Sequence, residues 1–403
     1  MVLTPVNANQ EAYLASFGAR ERDSLHAVRE TAMERFAVLG FPTTKNEEWK
    51  YSNLTPWLKM PYEKAPRSAG FDPGVKVGPN SLVFVNGWFA PEFSRVPAGV
   101  KAGSLREIPP QPVAPFAENA MLALNTALFE DGAHIEIDGV LQEPLFLMFI
   151  SAGRYVSYPR NRIVVRGEAR IVEQYIGEGP YFTNAVTELE AAAGASVEHC
   201  IFQRQSVEAL HFHHLAVRQK RDSNVRLYNL AFGGGMVRNE VLAVLDGEGA
   251  HCALSGLYVT RGTEHVDNHT TLDHAKPNST SHELYKGVLD DRSQGVFHGR
   301  IIVRPEAQKT DAIQRNRNLL LSREAVVNTK PQLEIYADDV RCTHGATVGQ
   351  VDEDAVFYLR SRGVGRDDAR KLLTNAFASE ILDDVKVEAV REQASAALLE
   401  RLG

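Results

Sequence analysis

The chain has 403 residues, enough for two or three domains, and its 44% hydrophobic and 24% charged content is that of an ordinary globular protein. A formal net charge of −7 argues against nucleic-acid binding, which requires a basic surface. The apolar runs are shorter than the roughly 18 residues of a membrane-spanning helix. We therefore expect neither nucleic acid nor a membrane as a partner.

The three cysteines predict a cytoplasmic protein with reduced thiols. Cys200, Cys252 and Cys342 are far apart and form no C-x-x-C pair, so they suggest neither a disulfide framework nor a zinc site built from cysteines alone. The first residues, MVLTPVNANQ, lack the basic start and apolar core of a signal peptide.

The N-terminal third predicts helices separated by an irregular connector. The apolar spacing in LHAVRETAMERFAVLG, residues 25–40, predicts a helix that stops at its final glycine. In the following TTKNEEWKYSNL, Thr44 and Glu47 fit a capping box that would start a short helix. SLVFVNG, residues 81–87, predicts a strand, and a further helix pattern ends at Gly132.

A loose repeat dominates residues 133–340. A small or polar turn followed by a strand-like run recurs from Gly167, Gly194, Ser223, Gly249 and Ser279, at spacings of 27, 29, 26 and 30 residues. Periods of this size without intervening helices favour a β-solenoid, whose coils bury their faces by stacking. An irregular β-sandwich with chance spacing is the alternative.

After the β region the chain returns to helical patterns, and Asp367 or Asp368 is placed to cap the second of them. The pattern divides the chain into an N-terminal helical region, a connector with the β core, and a C-terminal helical domain: residues 1–70, 71–345 and 346–403.

Histidines are most frequent between His265 and His282, where His269 and His274 also lie. The surrounding threonines favour a strand, in which residues four apart are roughly 13 Å apart and cannot share a metal ion. Hydrogen-bonded histidines on the solenoid faces are therefore the preferred interpretation. His211 and His213 would share one strand face, without a third ligand nearby in sequence.

Two acidic pairs, Asp290–Asp291 and Asp338–Asp339, provide the main enzymatic alternative, since some β-solenoids use carboxylates to cleave polysaccharides. Paired aspartates are also common as turn formers. Gly233-Gly234-Gly235 lacks the Lys–Ser/Thr of a phosphate-binding loop. Any ATPase that drives this protein would therefore belong to a partner.

The stretch RCTHGATVG, residues 341–349, places Cys342 two residues before His344. In an extended segment both side chains lie on one face, roughly 6.6 Å apart, while Thr343 points away. Both could contact one metal centre, but about four ligands complete a site. The remaining ligands would come from distant chain or from another subunit; a buried cysteine beside a hydrogen-bonded histidine is the alternative.

Two longer segments carry a family resemblance. The run DNHTTLDHAKPNSTSHELYKGVLDDRSQGVFHGR and the later TKPQLEIYADDVRCTHGATVGQVDEDAVFYLRSRG closely resemble the SufB/SufD family of iron–sulphur cluster assembly proteins, over about residues 267–377. The N-terminal TKNEEWKYSNL is similar to the SufD branch in particular. The resemblance implies a right-handed parallel β-helix flanked by helical regions, and a non-catalytic scaffold.

The same resemblance implies partners and a site. It implies pairing with SufB through the β-helix, docking of the SufC ATPase on the C-terminal helices, and a transient iron–sulphur cluster at the SufB interface. His344 would be a metal ligand there, and Cys342 is carried over more weakly. A homodimer of the isolated chain is compatible with the relatedness of the two branches. The expected docking residues are Phe357, Tyr358, Leu359, Leu372 and Phe377.

Overall fold

Parallel strands dominate the computed structural model, which describes residues 8–60, 62–67, 78–107 and 118–402. They wind into a β-solenoid of about 8 turns with helices at both ends. The parallel pairing of its successive coils excludes the β-sandwich and confirms the predicted β-helix. In the described part of the chain, no helix is long and apolar enough to cross a membrane.

Each coil contributes one strand to each of two parallel sheets. The first sheet contains β8 (Arg160–Glu178), β10 (Ser196–Arg204), β12 (Asn224–Ala231), β14 (His251–Thr260), β16 (Thr280–Leu289), β18 (Asp311–Leu320) and β20 (Arg341–Gln350). The second contains β9 (Phe182–Ala191), β11 (Leu210–Gln219), β13 (Met236–Leu245), β15 (His265–His274), β17 (Gln294–Val303) and β19 (Val326–Ile335).

Each repeat in the sequence corresponds to one coil of the β-solenoid. Gly194, Ser223, Gly249 and Ser279 lie just before β10, β12, β14 and β16. Gly167 lies within β8, next to Glu168, where the pairing with β10 begins. Alternate side chains point inward and stack into one core that runs through the coils, with members such as Leu227, Leu254 and Ile301.

Close packing in the core requires a glycine at one position of the β-solenoid. Gly256 is paired in register with Tyr285, whose ring occupies the space of the missing side chain. A Cβ on Gly256 would lie 2.1 Å from the Tyr285 ring. A residue without a side chain is therefore required beside this buried tyrosine.

The β-helix begins with shorter strands that cover its first coil. They are β1 (Glu63–Lys64), β2 (Ser81–Val85), β3 (Trp88–Phe89), β4 (Val100–Ser104), β5 (Ala133–Val140), β6 (Leu145–Ala152) and β7 (Tyr155–Ser157). Strand β2 confirms the predicted strand and pairs with β6, which in turn pairs with β8. The predicted domain boundary at residue 70 lies outside the described residues.

The N-terminal helices are α1 (Ala8–Gly18), α2 (His26–Leu39), α3 (Thr55–Leu58) and α4 (Ala120–Leu128). Helix α2 confirms the predicted helix, and Gly40 follows its end with a positive φ. Helix α4 stops before Gly132 because Phe129 is extended and the Asp131 carboxylate accepts hydrogen bonds from the Phe89 and Gly132 amides. The predicted end at Gly132 is therefore wrong.

The predicted capping box at Thr44 and Glu47 is also wrong. Residues Glu47–Trp49 form a single 3-10 turn preceded by Asn46, whose side chain accepts a hydrogen bond from the Thr43 amide. The Glu47 carboxylate instead pairs with Lys330 of β19 at 2.9 Å. This segment is held by the β-helix and does not start a helix of its own.

The C-terminal helices are α5 (Glu353–Arg360), α6 (Arg366–Leu382) and α7 (Glu388–Arg401). Helices α6 and α7 pack on the outer face of the first sheet, where Ile381 and Val390 share a core with Cys200 and Leu257. The N-cap of α6 is Gly365, so the prediction that Asp367 or Asp368 caps this helix is wrong. The two aspartates lie in the first turn, where their negative charges interact favourably with the helix dipole.

Candidate partner interface and metal ligands

The β-helix is open at its C-terminal end. Among the described residues, β19 pairs only with β17 and β20 pairs only with β18, so the outer edge of each strand is unpaired. Most of β20 is exposed, unlike the strands of the middle coils. Large apolar side chains are exposed in this region: Val326, Ile335, Tyr336 and Val348. We refer to β19, β20 and these side chains as the open end.

The stretch RCTHGATVG is extended and forms strand β20, which is the condition under which Cys342 and His344 share a face. Cys342 pairs with Ala312 and His344 pairs with Gln314, and both of these β18 residues point into the β-helix. Cys342 is half-buried against the central core, whereas His344 is exposed. Because side chains alternate along a strand, both side chains point in the inward direction, but no further coil in the described part of the chain covers them.

Cys342 and His344 do not make a complete metal site among the described residues. No other cysteine, histidine or acidic side chain joins them in a three-ligand group there. Burial raises the pKa of the Cys342 thiol, with a further contribution from the charge of Asp311. A raised pKa lowers the fraction of thiolate, which is the form of cysteine that binds metals.

An inward-facing polar column leads to His344. Glu283 pairs with Gln314, and Gln314 pairs with His344 in the next coil. Gln314 donates a hydrogen bond of 2.7 Å to the Glu283 carboxylate. Burial raises the pKa of Glu283 to about 7, although hydrogen bonds from Thr270 and Gln314 oppose this shift.

The predicted docking residues of the C-terminal helices fall into two groups. Phe357, Tyr358 and Leu372 are exposed, Phe357 by 71%. Leu359 and Phe377 are half-buried and pack within the chain. Phe377 also lies under the Lys286 ammonium, 4.5 Å from its ring centroid, and its carbonyl accepts a hydrogen bond from Lys286. The exposed group is the one available to a partner.

Four of the other histidines singled out in the sequence, His211, His213, His265 and His274, have structural contacts, and both remaining cysteines are buried. His211 and His213 share a buried face, with parallel rings 6.2 Å apart. His274 is hydrogen-bonded to two serines, and His265 contacts Ser52, as expected for histidines on solenoid faces. Burial raises the pKa of Cys252 to about 12 and that of Cys200 well above its ordinary value. We assign neither thiol a chemical role.

The acidic pairs lie at turns between strands. Asp291 has a φ of 53°, and the Asp290 carbonyl accepts a hydrogen bond from Ser293. Asp339 forms an ion pair with Lys309, another residue with positive φ. Gly233 and Gly234 also have positive φ, and Gly235 packs against Trp57. These features are those of turn formers.

One group of possible metal ligands was not predicted from the sequence. In the described ranges, Glu48, His269 and His298 form the one group of three side chains that could hold a metal ion. His269 and His298 are paired in register on β15 and β17, one coil apart. The period of the repeat could have predicted this pair, since 29 residues is one of the observed spacings. The contribution of Glu48 could not be predicted, because it comes from the N-terminal segment.

Comparison with known proteins assigns the chain to a protein family. Residues 148–377 match the family model described as "SUF system FeS cluster assembly, SufBD core domain", and residues 11–142 match "SufBD protein N-terminal region". The chain belongs to the SufBD family of iron–sulphur cluster assembly proteins.

Individual relatives support the same assignment. The chain is 31% identical to the iron–sulphur cluster assembly protein SufD of Escherichia coli, over 92% of this chain and 91% of that protein. It is 31% identical to a SufBD family protein of Synechocystis, over 90% of this chain and 88% of that protein. It is 35% identical to the chloroplastic protein ABCI7 of Arabidopsis thaliana, over 59% of this chain and 52% of that protein. The predicted similarity to SufD is confirmed.

Proposed function

We propose that this chain is a non-catalytic scaffold subunit of a cytoplasmic iron–sulphur cluster assembly complex, in which its open end pairs with a SufB-type chain. The observation that carries this proposal is the pair of unpaired edges on β19 and β20. An unpaired edge is a ready template for a strand of another chain. The exposed apolar side chains of the open end supply the area that such a contact would bury.

The nascent cluster is the cargo of this interface, with His344 as the ligand that this chain contributes. The imidazole is exposed at the end of the inward-facing column of Glu283 and Gln314. Neutral imidazole is a suitable ligand for iron, and an incomplete ligand set leaves positions for groups from the partner. Cys342 is a secondary candidate because its thiol is half-buried.

The proposed energy source is a SufC-type ATPase that docks on α5 and α6. Phe357 and Tyr358 on α5 and Leu372 on α6 are exposed aromatic and apolar side chains, of the kind that form the centre of interfaces. Helices α6 and α7 are packed firmly against the first sheet. A movement imposed on these helices would therefore be transmitted to the β-helix.

The decisive experiment uses the complex of this chain with its SufB-type and SufC-type partners under anaerobic conditions. His344→Ala is expected to abolish the visible absorption of the cluster while all three chains still co-purify. His282→Ala, which removes another exposed histidine on β16, is the matched control and is expected to retain the cluster.

Each part of the proposal can fail separately. A cluster that forms normally in the His344→Ala complex would contradict the ligand assignment. Failure of the wild-type chain to retain either partner at moderate salt would contradict the scaffold role. A stable homodimer that excludes the SufB-type chain would show that the open end serves a second copy of this chain instead.

A further inference from the structure

The Glu48–His269–His298 cluster lies where the N-terminal segment crosses the outer face of the second sheet. Oε2 of Glu48 is 3.3 Å from Nδ1 of His269 and 2.9 Å from Nδ1 of His298. The three donor atoms all lie within 4.8 Å of one another. Donor atoms around a tetrahedral zinc ion, at bond lengths of 2.0–2.1 Å, are roughly 3.3 Å apart. The two distances from Glu48 to the histidines are thus close to those between the ligand atoms of a metal site.

Both imidazoles have their second nitrogen occupied. Nε2 of His298 donates a hydrogen bond to Oε1 of Gln332. Nε2 of His269 lies 2.9 Å from the buried Asp267 carboxylate and 3.1 Å from Arg238. Donation to Asp267 is the carboxylate–histidine arrangement that orients metal-ligating imidazoles. In this state both Nδ1 atoms direct lone pairs towards the Glu48 oxygen, and either a metal cation or a proton has to lie between these acceptors.

The charges around the cluster are unbalanced without a cation. Arg238 is the buried positive charge, and it pairs with Glu240 at 2.8 Å and with Asp267 at 2.6 Å. Glu48 adds a third carboxylate next to these two. With neutral imidazoles, three negative charges face one positive charge, so one divalent cation would neutralise the group. Uncompensated charges of this kind are costly in a partly buried place.

The protein holds Glu48 in place by its backbone and its neighbours. Arg238 donates a hydrogen bond of 2.8 Å to the Glu48 carbonyl and lies 3.9 Å from the Trp49 ring centroid. Trp49 is buried in the N-terminal core, and Ser52 donates a hydrogen bond of 2.5 Å to Asp267. The carboxylate is thus presented by a fixed segment, while the side chain itself is 55% exposed.

An open side is available for solvent ligands. A cavity of about 600 Å³ borders the cluster, and its walls include Glu48, His269 and Thr271. Two imidazole nitrogens and one carboxylate oxygen, with remaining positions open to water, are a typical donor set for zinc or ferrous iron and a poor one for magnesium.

We propose that Glu48, His269 and His298 bind one divalent transition-metal ion, of the zinc or ferrous type, which clamps the N-terminal segment onto the β-helix. The ligands come from a 3-10 turn and from two adjacent coils, so the ion would cross-link regions more than 200 residues apart in sequence. This site is on the second sheet, whereas His344 is on the first. It is therefore independent of the proposed partner interface.

The test is calorimetric titration of the chelator-treated full chain with Zn²⁺. A Cys342→Ser/His344→Ala background removes the other predicted ligands. We expect one binding site, and we expect Glu48→Gln and His298→Asn each to weaken it at least about 100-fold, since changes to outer partners alone cost roughly 10–100-fold. His214→Gln, which alters a neighbouring histidine that contacts Glu240, is the matched control and is expected to keep the parent affinity.

Two further measurements separate a metal site from a proton-bridged ion pair. Zn²⁺ is expected to slow amide hydrogen exchange in residues 46–54 of the parent chain but not in the same residues of Glu48→Gln. Circular dichroism checks that Glu48→Gln is folded. Mg²⁺ is expected neither to bind at the site nor to slow exchange in this segment. Equal Zn²⁺ affinity for the parent and Glu48→Gln, comparable Mg²⁺ binding, or unchanged exchange in the segment would overturn the proposal.

Discussion

The two ends of the β-helix differ in what covers their last strands. At the N-terminal end, β6 is paired with β8 on one side and with β2 on the other, so the ladder continues into added strands. At the C-terminal end, β19 and β20 have one partner each among the described residues. The chain itself therefore covers the strands at the N-terminal end, whereas the outer strand edges at the C-terminal end are unpaired among the described residues.

The inward-facing polar side chains also differ between the two ends of the β-helix: they are fully covered near the start and partly uncovered at the open end. Near the start, Glu173 is fully buried and contacts His199 at 2.9 Å, His213 at 3.2 Å and the Tyr175 hydroxyl at 2.7 Å. Burial alone would raise the pKa of Glu173, but the hydrogen bonds and charges of the two histidines hold it well below its usual value. Towards the open end, the column of Glu283 and Gln314 ends at an uncovered histidine. The closed part serves stability, and the open part is free to serve binding.

The largest expected effect tests the closed part. Glu173→Ala removes the shared acceptor of His199, His213 and Tyr175 and leaves a cavity in the interior. We expect the free energy of unfolding to fall by about 3–5 kcal/mol, because removal of one partner leaves buried polar groups uncompensated. Urea denaturation monitored by circular dichroism measures this loss.

Glu306→Ala is the control for that experiment, because Glu306 is exposed at a turn between strands. We expect it to change the free energy of unfolding by no more than about 0.5 kcal/mol. A loss below about 1 kcal/mol for Glu173→Ala would contradict the assigned role of the interior network.

The next effect concerns Glu283, at the approach to the open end. Its folded-state pKa of about 7 lies above the ordinary value of 4.5. The folded state therefore holds the proton more tightly, and this stabilisation is complete below pH 4.5 and is lost as the pH rises through 7. The expected loss is about 3 kcal/mol, from roughly 1.4 kcal/mol for each pKa unit.

Glu283→Gln should remove this pH dependence, since the amide resembles the protonated carboxyl and stays neutral. Urea titrations of the wild type and the variant between pH 5 and 8 measure the difference in slope. Glu306→Gln again serves as the control and should follow the wild type. Parallel curves for Glu283→Gln and the wild type would show that this carboxyl is already ionised at low pH.

The smallest of the three effects tests the open part. Val348→Asp places a charge on β20, and we expect binding to a SufB-type chain to weaken by about 2 kcal/mol or more if this position is central to the interface. Stability of the isolated chain should change by only about 0.5 kcal/mol, because Val348 is 50% exposed. Val140→Asp, at an equally exposed valine on β5, should leave binding unchanged. An equal loss of binding for both variants would contradict a specific role of β20.

Part of the candidate site was predictable because it depends on local sequence. The extended segment around Cys342 and His344 follows from its residue pattern, and the strand spacing predicted their common face. The assignment of His344 as a ligand came from the family resemblance and remains a prediction. The exposure of Phe357 and the half-burial of Phe377 were not predictable, because both lie in C-terminal helices and only tertiary packing separates them. Phe377 contacts two apolar clusters and Lys286.

The sequence by itself favoured the β-solenoid and its flanking helices, because stacked coils let a repeat of turns and strands bury its apolar faces. It also determined the family, through the two long segments that carry the resemblance. Only the tertiary structure decided which side chains meet across coils. The N-terminal segment folds against strands that are distant in sequence. The capping box at Thr44 was mispredicted because Glu47 forms an ion pair with Lys330. Glu48 contacts His269 and His298 in the same way. Local patterns contain no information about such contacts, whose formation depends on the register of the completed β-helix.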